Sequence, residues 1–156
     1  MAEELKKERK LIVFQLDREE YGIPVEQVQS IEKMQQITRV PRTKSFIKGV
    51  LNMRGVITPV ADLRSRFGIE EVPADEQTRM IIVTLEDKEI GFIVDAANDV
   101  ADISEDSIEP PPEAAGSVSA EYILGVVKIG NRLITLLDLK AVLEEEPEAD
   151  LDKAKA

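Results

Sequence analysis

Asp102, Glu105, Asp106 and Glu109 put four carboxylates within eight residues of one another, a grouping of the kind that calcium loops or hydrolytic acid–base pairs are built from. A calcium loop also needs a glycine at its sharp turn and ligands at alternating positions. This segment has neither, so it reads as a solvated acidic edge. With 31 acidic residues in a chain of 156, chance pairs of carboxylates are unavoidable, and no single pair carries weight as a glycosidase signature. The sequence contains no His and no Cys. That removes imidazole bases and metal ligands, the Ser-His-Asp arrangement, phosphorylated histidine within the chain, thiolate nucleophiles, disulfides and thiolate zinc sites. No glycine-rich phosphate loop follows a strand pattern; the glycines stand singly. The expectation is a non-enzymatic protein with no catalytic residue, no metal and no cofactor.

One charged residue stands apart from this solvated background. Phe46 to Leu63 aligns without a gap with Tyr122 to Leu139 at a constant offset of 76, matching Ile47, Gly49, Val50, Asp62 and Leu63 to Ile123, Gly125, Val126, Asp138 and Leu139. In that alignment Arg54 meets Gly130. The segment reads as a hairpin, with strands over Val50–Met53 and Val56–Val60 around the two-residue turn Arg54-Gly55. The second copy lacks the cation, so the hairpin does not require it, and an arginine displayed on a turn is presented outward to a partner. Val56, Thr58 and Val60 alternate with Ile57, Pro59 and Ala61 with neither side clearly polar. Both faces of that strand are expected to be covered, by the lobe or by a docked protein.

The elements that position this hairpin also recur. Leu11–Leu16 and Tyr21–Val25 read as a strand pair around Asp17-Arg18-Glu19-Glu20, and Met80–Leu85 with Glu89–Asp95 repeats that order around Glu86-Asp87-Lys88. Gly22, Val25, Glu26 and Ile31 fall into register with Gly91, Val94, Asp95 and Val100 at an offset of 69. Val25, Val28 and Ile31, spaced by three, suggest a helical turn or irregular crossover after Pro24. Thr38–Pro41 is expected to be extended, with Thr43 or Ser45 capping a brief helix that Gly49 ends. Pro59 suggests an edge or bulge. Ala61–Gly68 reads as one helical turn closed by glycine, Glu70–Gln77 as a polar loop, Glu109–Ser117 as a stiff then flexible linker, and Leu139–Glu146 as a helix that stops before Pro147. The sum is about ten short strands with little helix, the pattern of barrels or sandwiches, arranged as two lobes that lean on each other.

Composition is consistent with one folded unit, at 43% apolar and 33% charged residues. A net charge of −11 repels phosphate backbones and anionic head groups, so neither nucleic acid nor direct membrane insertion is expected; the charge reads first as a means of solubility, with a basic partner surface as the lesser alternative. The N-terminus mixes both charges without an apolar segment, unlike a signal peptide, and no apolar run reaches bilayer length. A cytoplasmic protein is the expectation.

Glu20-Tyr21-Gly22-Ile23, Phe46 to Gly55, Pro59-Val60-Ala61-Asp62-Leu63, Gly91-Phe92-Ile93-Val94-Asp95 and Tyr122-Ile123-Leu124-Gly125, in this order and spacing, resemble the CheW-like domain family over about residues 10–147. CheW-like domains also occur fused to others in CheA and CheV; this chain resembles the free-standing coupling type. The resemblance implies a mainly β fold of two small five-stranded, SH3-like barrels packed together, with short helical turns and a C-terminal helix. The lobes would span roughly 11–68 and 79–146, with room to exchange end strands, and with a charged leader at 1–9 and a flexible acidic tail at 148–156. It further implies an adaptor between the cytoplasmic tip of methyl-accepting chemotaxis proteins and the histidine kinase CheA, recruited to receptor arrays. Carried over by position, Val28, Ile31, Gly49, Arg54 and Val100 would form the receptor surface, and Ile57 would face the regulatory domain of CheA. After the triple proline this chain has Ala114 and Ala115, where the family often has a hydrophobic or basic residue. Two other readings are a small-molecule sensor using the groove between the lobes, which no inward polar cluster supports, and a hydrolase using unassisted carboxylates, which the lack of His weakens.

Overall fold

Leu11-Ile12-Val13-Phe14 and Met80-Ile81-Ile82-Val83 are apolar at every position, and a strand of that kind requires cover on both faces. In the computed structural model, which describes residues 8–40, 46–111 and 120–143, both runs receive it. Among the described residues ten strands form: β1 (Glu8–Leu16), β2 (Glu19–Pro24), β3 (Val28–Lys33), β4 (Ile47–Met53), β5 (Val56–Asp62), β6 (Arg79–Leu85), β7 (Lys88–Val94), β8 (Ala96–Ser104), β9 (Ile123–Ile129) and β10 (Arg132–Leu137). Two short helices follow the hairpins, α1 (Leu63–Arg66) and α2 (Leu139–Leu143).

The strands build two five-stranded sheets, in the order β8-β1-β2-β10-β9 and β3-β6-β7-β5-β4. Replacing each strand of the first sheet by its counterpart in the other half of the chain gives the second. The registers agree as well: Leu136 faces Gly22 in one parallel pair, and Val60 faces Gly91 in the other. The first hairpin of each half is thus exchanged. β1 and β2 complete the sheet of β8 to β10, while β6 and β7 complete that of β3 to β5. The halves 11–68 and 79–146 therefore do not coincide with the sheets. The first sheet joins the two ends of the chain, and the second is the continuous middle.

Alternation along the central strands sorts side chains between three cores. Leu11 and Val13 point into the interior of the first sheet with Val127, Ile134 and Leu136. Met80 and Ile82 point into that of the second, with Leu51, Met53 and Val60. The residues between them, Ile12, Phe14, Ile81 and Val83, meet Tyr21, Leu63, Phe67, Phe92, Leu139 and Val142 in the largest cluster, which contains residues of both sheets. Each sheet also curls back on itself. The segment after β3 returns to β4 through a two-bond bridge between Thr38 and Val50, and the segment after β8 returns to β9 through the matching bridge of Glu109 and Val126.

Those bridges explain the repeated glycines. Gly49 lies inside β4 at φ 156° rather than ending a helix, and a side chain there would collide with the Thr38 carbonyl. At Gly125 a Cβ would sit 2.7 Å from the Glu109 oxygen. Thr43 and Ser45, the expected caps, lie outside the described residues. The spacing of Val25, Val28 and Ile31 resolves into one 3₁₀ turn, Val25–Gln27, followed by a strand with a register shift between Val28 and Ser30. The irregularity expected beside Pro59 is present, as the β4–β5 register shifts between Ile47 and Gly49, opposite Ala61 and Val60, but Pro59 is not on an edge, because β5 lies between β7 and β4. It is tolerated because Val50, opposite it, spends both amide groups on Thr38. The proline nitrogen then faces the β7 side, where pairing begins only at Val60. The first strand starts at Glu8, inside the charged leader. Leu139 to Leu143 is helical; the rest of the expected C-terminal helix, the 148–156 tail, and Ala114 and Ala115 fall outside the described residues.

Gly49→Ala and Gly125→Ala should each destabilise the fold by about 3 kcal/mol or more, through backbone collision. Gly130→Asn, at an open left-handed turn position, should change stability by no more than about 1 kcal/mol. Chemical denaturation of the three variants checks this ordering.

Candidate functional site

Arg54 and Gly55 both take left-handed backbone, at φ 54° and 86°, in the tight turn between β4 and β5. Such a turn suits the right-handed twist of a hairpin but favours Asn or Gly at its first position. The left-handed conformation costs a non-glycine residue about 1–2 kcal/mol. The second hairpin avoids that cost with Gly130 at φ 60°. In the first, the Asn52 side chain accepts a hydrogen bond of 2.9 Å from the Gly55 amide and fixes the turn. The outcome is a guanidinium whose side chain is 71% exposed. Its ion-pair partner is Glu32, at 3.7 Å on β3, with a side chain only 23% exposed. At that distance the pair orients Arg54 without locking it. It also shows how far the second sheet curls, since β3 and the β4–β5 turn lie at opposite ends of the strand order.

Ile31 shares β3 with Glu32 and is 39% exposed. Val28, at the start of the same strand, is half-buried and packs partly against the shared core. Val100, 55% exposed, is the counterpart of Ile31: it faces Ile12 on β1 as Ile31 faces Ile81 on β6. It belongs to the other sheet. β8 also touches β6, the strand that pairs with β3, so both outer strands border the junction between the sheets. Val28, Ile31 and the Arg54 turn thus belong to the second sheet and Val100 to the first. Gly49 is buried under Thr38, so it shapes the hairpin rather than the surface. Ile57, 61% exposed, lies opposite Asn52 on the outer face of β5, and its neighbour Val56 is exposed too. Sequence reading missed Glu32, whose link to Arg54 is purely tertiary. It also missed the exposed Leu133, which stands at the Ile57 position of the second hairpin and was accessible from the offset of 76.

At the junction an ion-pair network joins the sheets. Arg64 of α1 donates through Nε and a terminal nitrogen to the two oxygens of Asp95, at 3.0 and 2.7 Å, and to the Glu70 carbonyl at 2.8 Å. The Asp17 amide in the β1–β2 turn donates to Asp95 at 2.9 Å. Burial acts to raise the Asp95 carboxyl, but the Arg64 hydrogen bond, the Asp17 amide and the Arg64 charge outweigh it and hold Asp95 below the ordinary carboxylate range. Asp62 shows the reverse balance. Burial, with Glu71 nearby, raises it, although its side chain caps α1 by accepting from the Arg64 amide at 2.9 Å. Asp138 caps α2 in the same way through the Ala141 amide, which accounts for the Asp-Leu pair in both repeats. A cleft of about 610 Å³ opens beside this network, lined by Asp17, Arg18, Arg64, Glu70 and Asp95 among others. In the acidic cluster, Asp102 and Glu105 are engaged by Lys10 and Arg9, each at 2.7 Å. Among the described residues, no group of three or more acids is arranged to hold a metal ion, and no helix is long and apolar enough to cross a membrane.

The family model for the CheW-like domain matches residues 10–147. The chain belongs to the CheW-like domain family. It is similar to the chemotaxis protein CheW of Bacillus subtilis, 46% identical over 94% of each chain, and to that of Klebsiella aerogenes, 38% identical over 92% of this chain and 87% of the relative. Its fold matches the crystal structure of the scaffolding protein TtCheW from Thermoanaerobacter tengcongensis with a TM-score of 0.81, at 36% identity and 90% coverage of both chains. The mainly β, two-sheet architecture is therefore that of a chemotaxis scaffold and adaptor family.

Because the Asp95 carboxyl is depressed in the fold, its contribution is present above the ordinary carboxylate range of about pH 4 and is lost as pH falls through the lower, folded value. Asp95→Asn should cost about 2 kcal/mol at neutral pH. The gap to the unsubstituted protein should close in acid, as read by denaturation midpoints from pH 7 to pH 3.

Proposed function

We propose that this protein couples chemoreceptors to the histidine kinase CheA, with the junction bordered by β3, β8 and the Arg54 turn receiving the cytoplasmic tip of a methyl-accepting chemotaxis protein. The observation that carries the reading is Arg54 itself: an exposed cation held in a left-handed conformation where the equivalent hairpin uses glycine. Asp17, Arg18, Glu86 and Asp87 also take positive φ at their turns; what distinguishes Arg54 is that its counterpart is glycine, so the hairpin itself does not call for the cation. Ile31 and Val100, exposed on the outer strands of the two sheets, offer an apolar stripe to one helix of the receptor hairpin, with Val28 at its edge. Arg54 then hydrogen-bonds carbonyls or a carboxylate near the tip. Gly49 contributes indirectly, by letting the hairpin pack under Thr38.

Ile57 lies on the outer face of the same hairpin and, with Val56, makes an apolar edge suited to another β domain. We assign it to the regulatory domain of CheA. A single hairpin then serves both partners, which is an economical way to link them. In this reading the protein acts within receptor arrays and performs no chemistry of its own.

Arg54→Glu should keep the fold and weaken a receptor-fragment titration by tenfold or more, about 1.4 kcal/mol. It should also abolish the rise in CheA activity when receptor fragment, kinase and this protein are mixed. Unchanged affinity in the folded variant would remove Arg54 from the site. In a heteronuclear spectrum, adding the CheA regulatory domain should shift signals around Val56 and Ile57. Signals that stay fixed there while the kinase binds would move the contact elsewhere.

A further inference from the structure

Arg66 stands between the two copies of the repeat. Its guanidinium lies over the ring of Phe46 at 4.6 Å and over that of Tyr122 at 5.0 Å. These two aromatics are counterparts in the repeat, separated by the offset of 76. Its Nε also donates a 2.6 Å hydrogen bond to the carbonyl of Val142, and Val142 is the counterpart of Arg66 at the same offset. A group that touches both copies of one residue and bonds to its own counterpart sits on the approximate two-fold axis relating the halves. Two arginines there would oppose like charges across the axis, which explains why one copy carries Arg and the other Val. Around it, Tyr122 stacks on Phe67 at 5.6 Å, and Tyr21 follows Phe67 at 6.2 Å.

We propose that Arg66 is a positioning residue that fixes the angle between the two sheets, and with it the spacing of Ile31 and Val100. The inference rests on the receptor reading for its functional consequence only. Ile31 and Val100 belong to different sheets, so a receptor helix meets both at once only at a set angle. The apolar shared core favours contact without prescribing one geometry. A planar cation held between two rings, with a directed bond to a carbonyl in the last turn of α2, does prescribe one. Lysine supplies the charge but no planar face, so it is expected to substitute incompletely. Phe46, Tyr122 and Val142, which Arg66 contacts, lie outside the proposed binding surface.

The absence of native cysteine makes the test direct. Spin labels at Lys33→Cys and Asp102→Cys, equivalent exposed positions on β3 and β8, report the distance between the outer strands. Introducing Arg66→Ala should broaden that distribution about twofold and lower receptor-fragment affinity about tenfold, because the competent angle is populated a fraction of the time. Arg66→Lys should fall between, and it carries the test if the alanine variant does not fold. A folded variant with the original distance distribution would overturn the proposal, even if its melting temperature drops. A broadened distribution with unchanged affinity would also overturn it, because the angle would then not set binding. Should the unsubstituted protein bind no receptor fragment, the receptor reading fails, and the distance measurement still decides whether Arg66 sets the angle.

Discussion

The structure depends on two strands that have no polar face. β1 and β6 are apolar on both sides, so each needs a core in front and a core behind. The front cores are the interiors of the two curled sheets. The rear core is common property, and it is where Ile12, Phe14, Ile81 and Val83 meet. Neither sheet could exist alone without exposing one face of its central strand to water. The exchange of hairpins strengthens that dependence, because residues 8–24 complete a sheet whose other strands lie beyond residue 96. The chain must close this long loop before the first sheet forms, so the two sheets are expected to fold as one cooperative unit.

Approximate two-fold symmetry gives the molecule paired surfaces, and small departures from symmetry distinguish them. Ile57 and Leu133 are exposed at matching positions, as are Ile31 and Val100. The β4–β5 turn carries Arg54 where the other turn has Gly130, and Lys48 stands where the second copy exposes Leu124. Each hairpin holds one Lys and one Arg, Lys48 and Arg54 in the first and Lys128 and Arg132 in the second, so the two differ in where the cations stand and not in their number. On the axis itself, symmetry cannot be satisfied by two charged residues, and the Arg66–Val142 pair resolves the conflict. The repeat supplies the scaffold, and its exceptions make the two otherwise matching surfaces distinguishable.

Much of this was readable before any coordinates. The strand pairs, the left-handed turn at Arg54-Gly55 and the short helices after Asp62 and Asp138 all follow from local patterns, because apolar alternation, turn glycine and helix caps act within a few residues. The misreadings share one cause. Gly49 resembled a helix stop because the chain that crosses it comes from Thr38, eleven residues away, and Pro59 was compatible with an edge because only the tertiary pairing shows β5 flanked on both sides, with its β7 partner joining at Val60 just beyond the proline. In each case a tertiary contact determined what a local preference could not.

By itself, then, the sequence determined a mainly β chain in two copies, with one cation displayed at one turn and without the imidazole or thiol groups that most catalytic sites use. These properties reside in composition and short-range periodicity. Only the tertiary structure decided which hairpin completes which sheet, that Glu32 attends Arg54, that Gly49 is buried and that Arg66 lies between the rings of Phe46 and Tyr122. Those facts depend on residues brought together across long stretches of chain, where the pairing is selected by burial of whole faces and not by any residue's own preference.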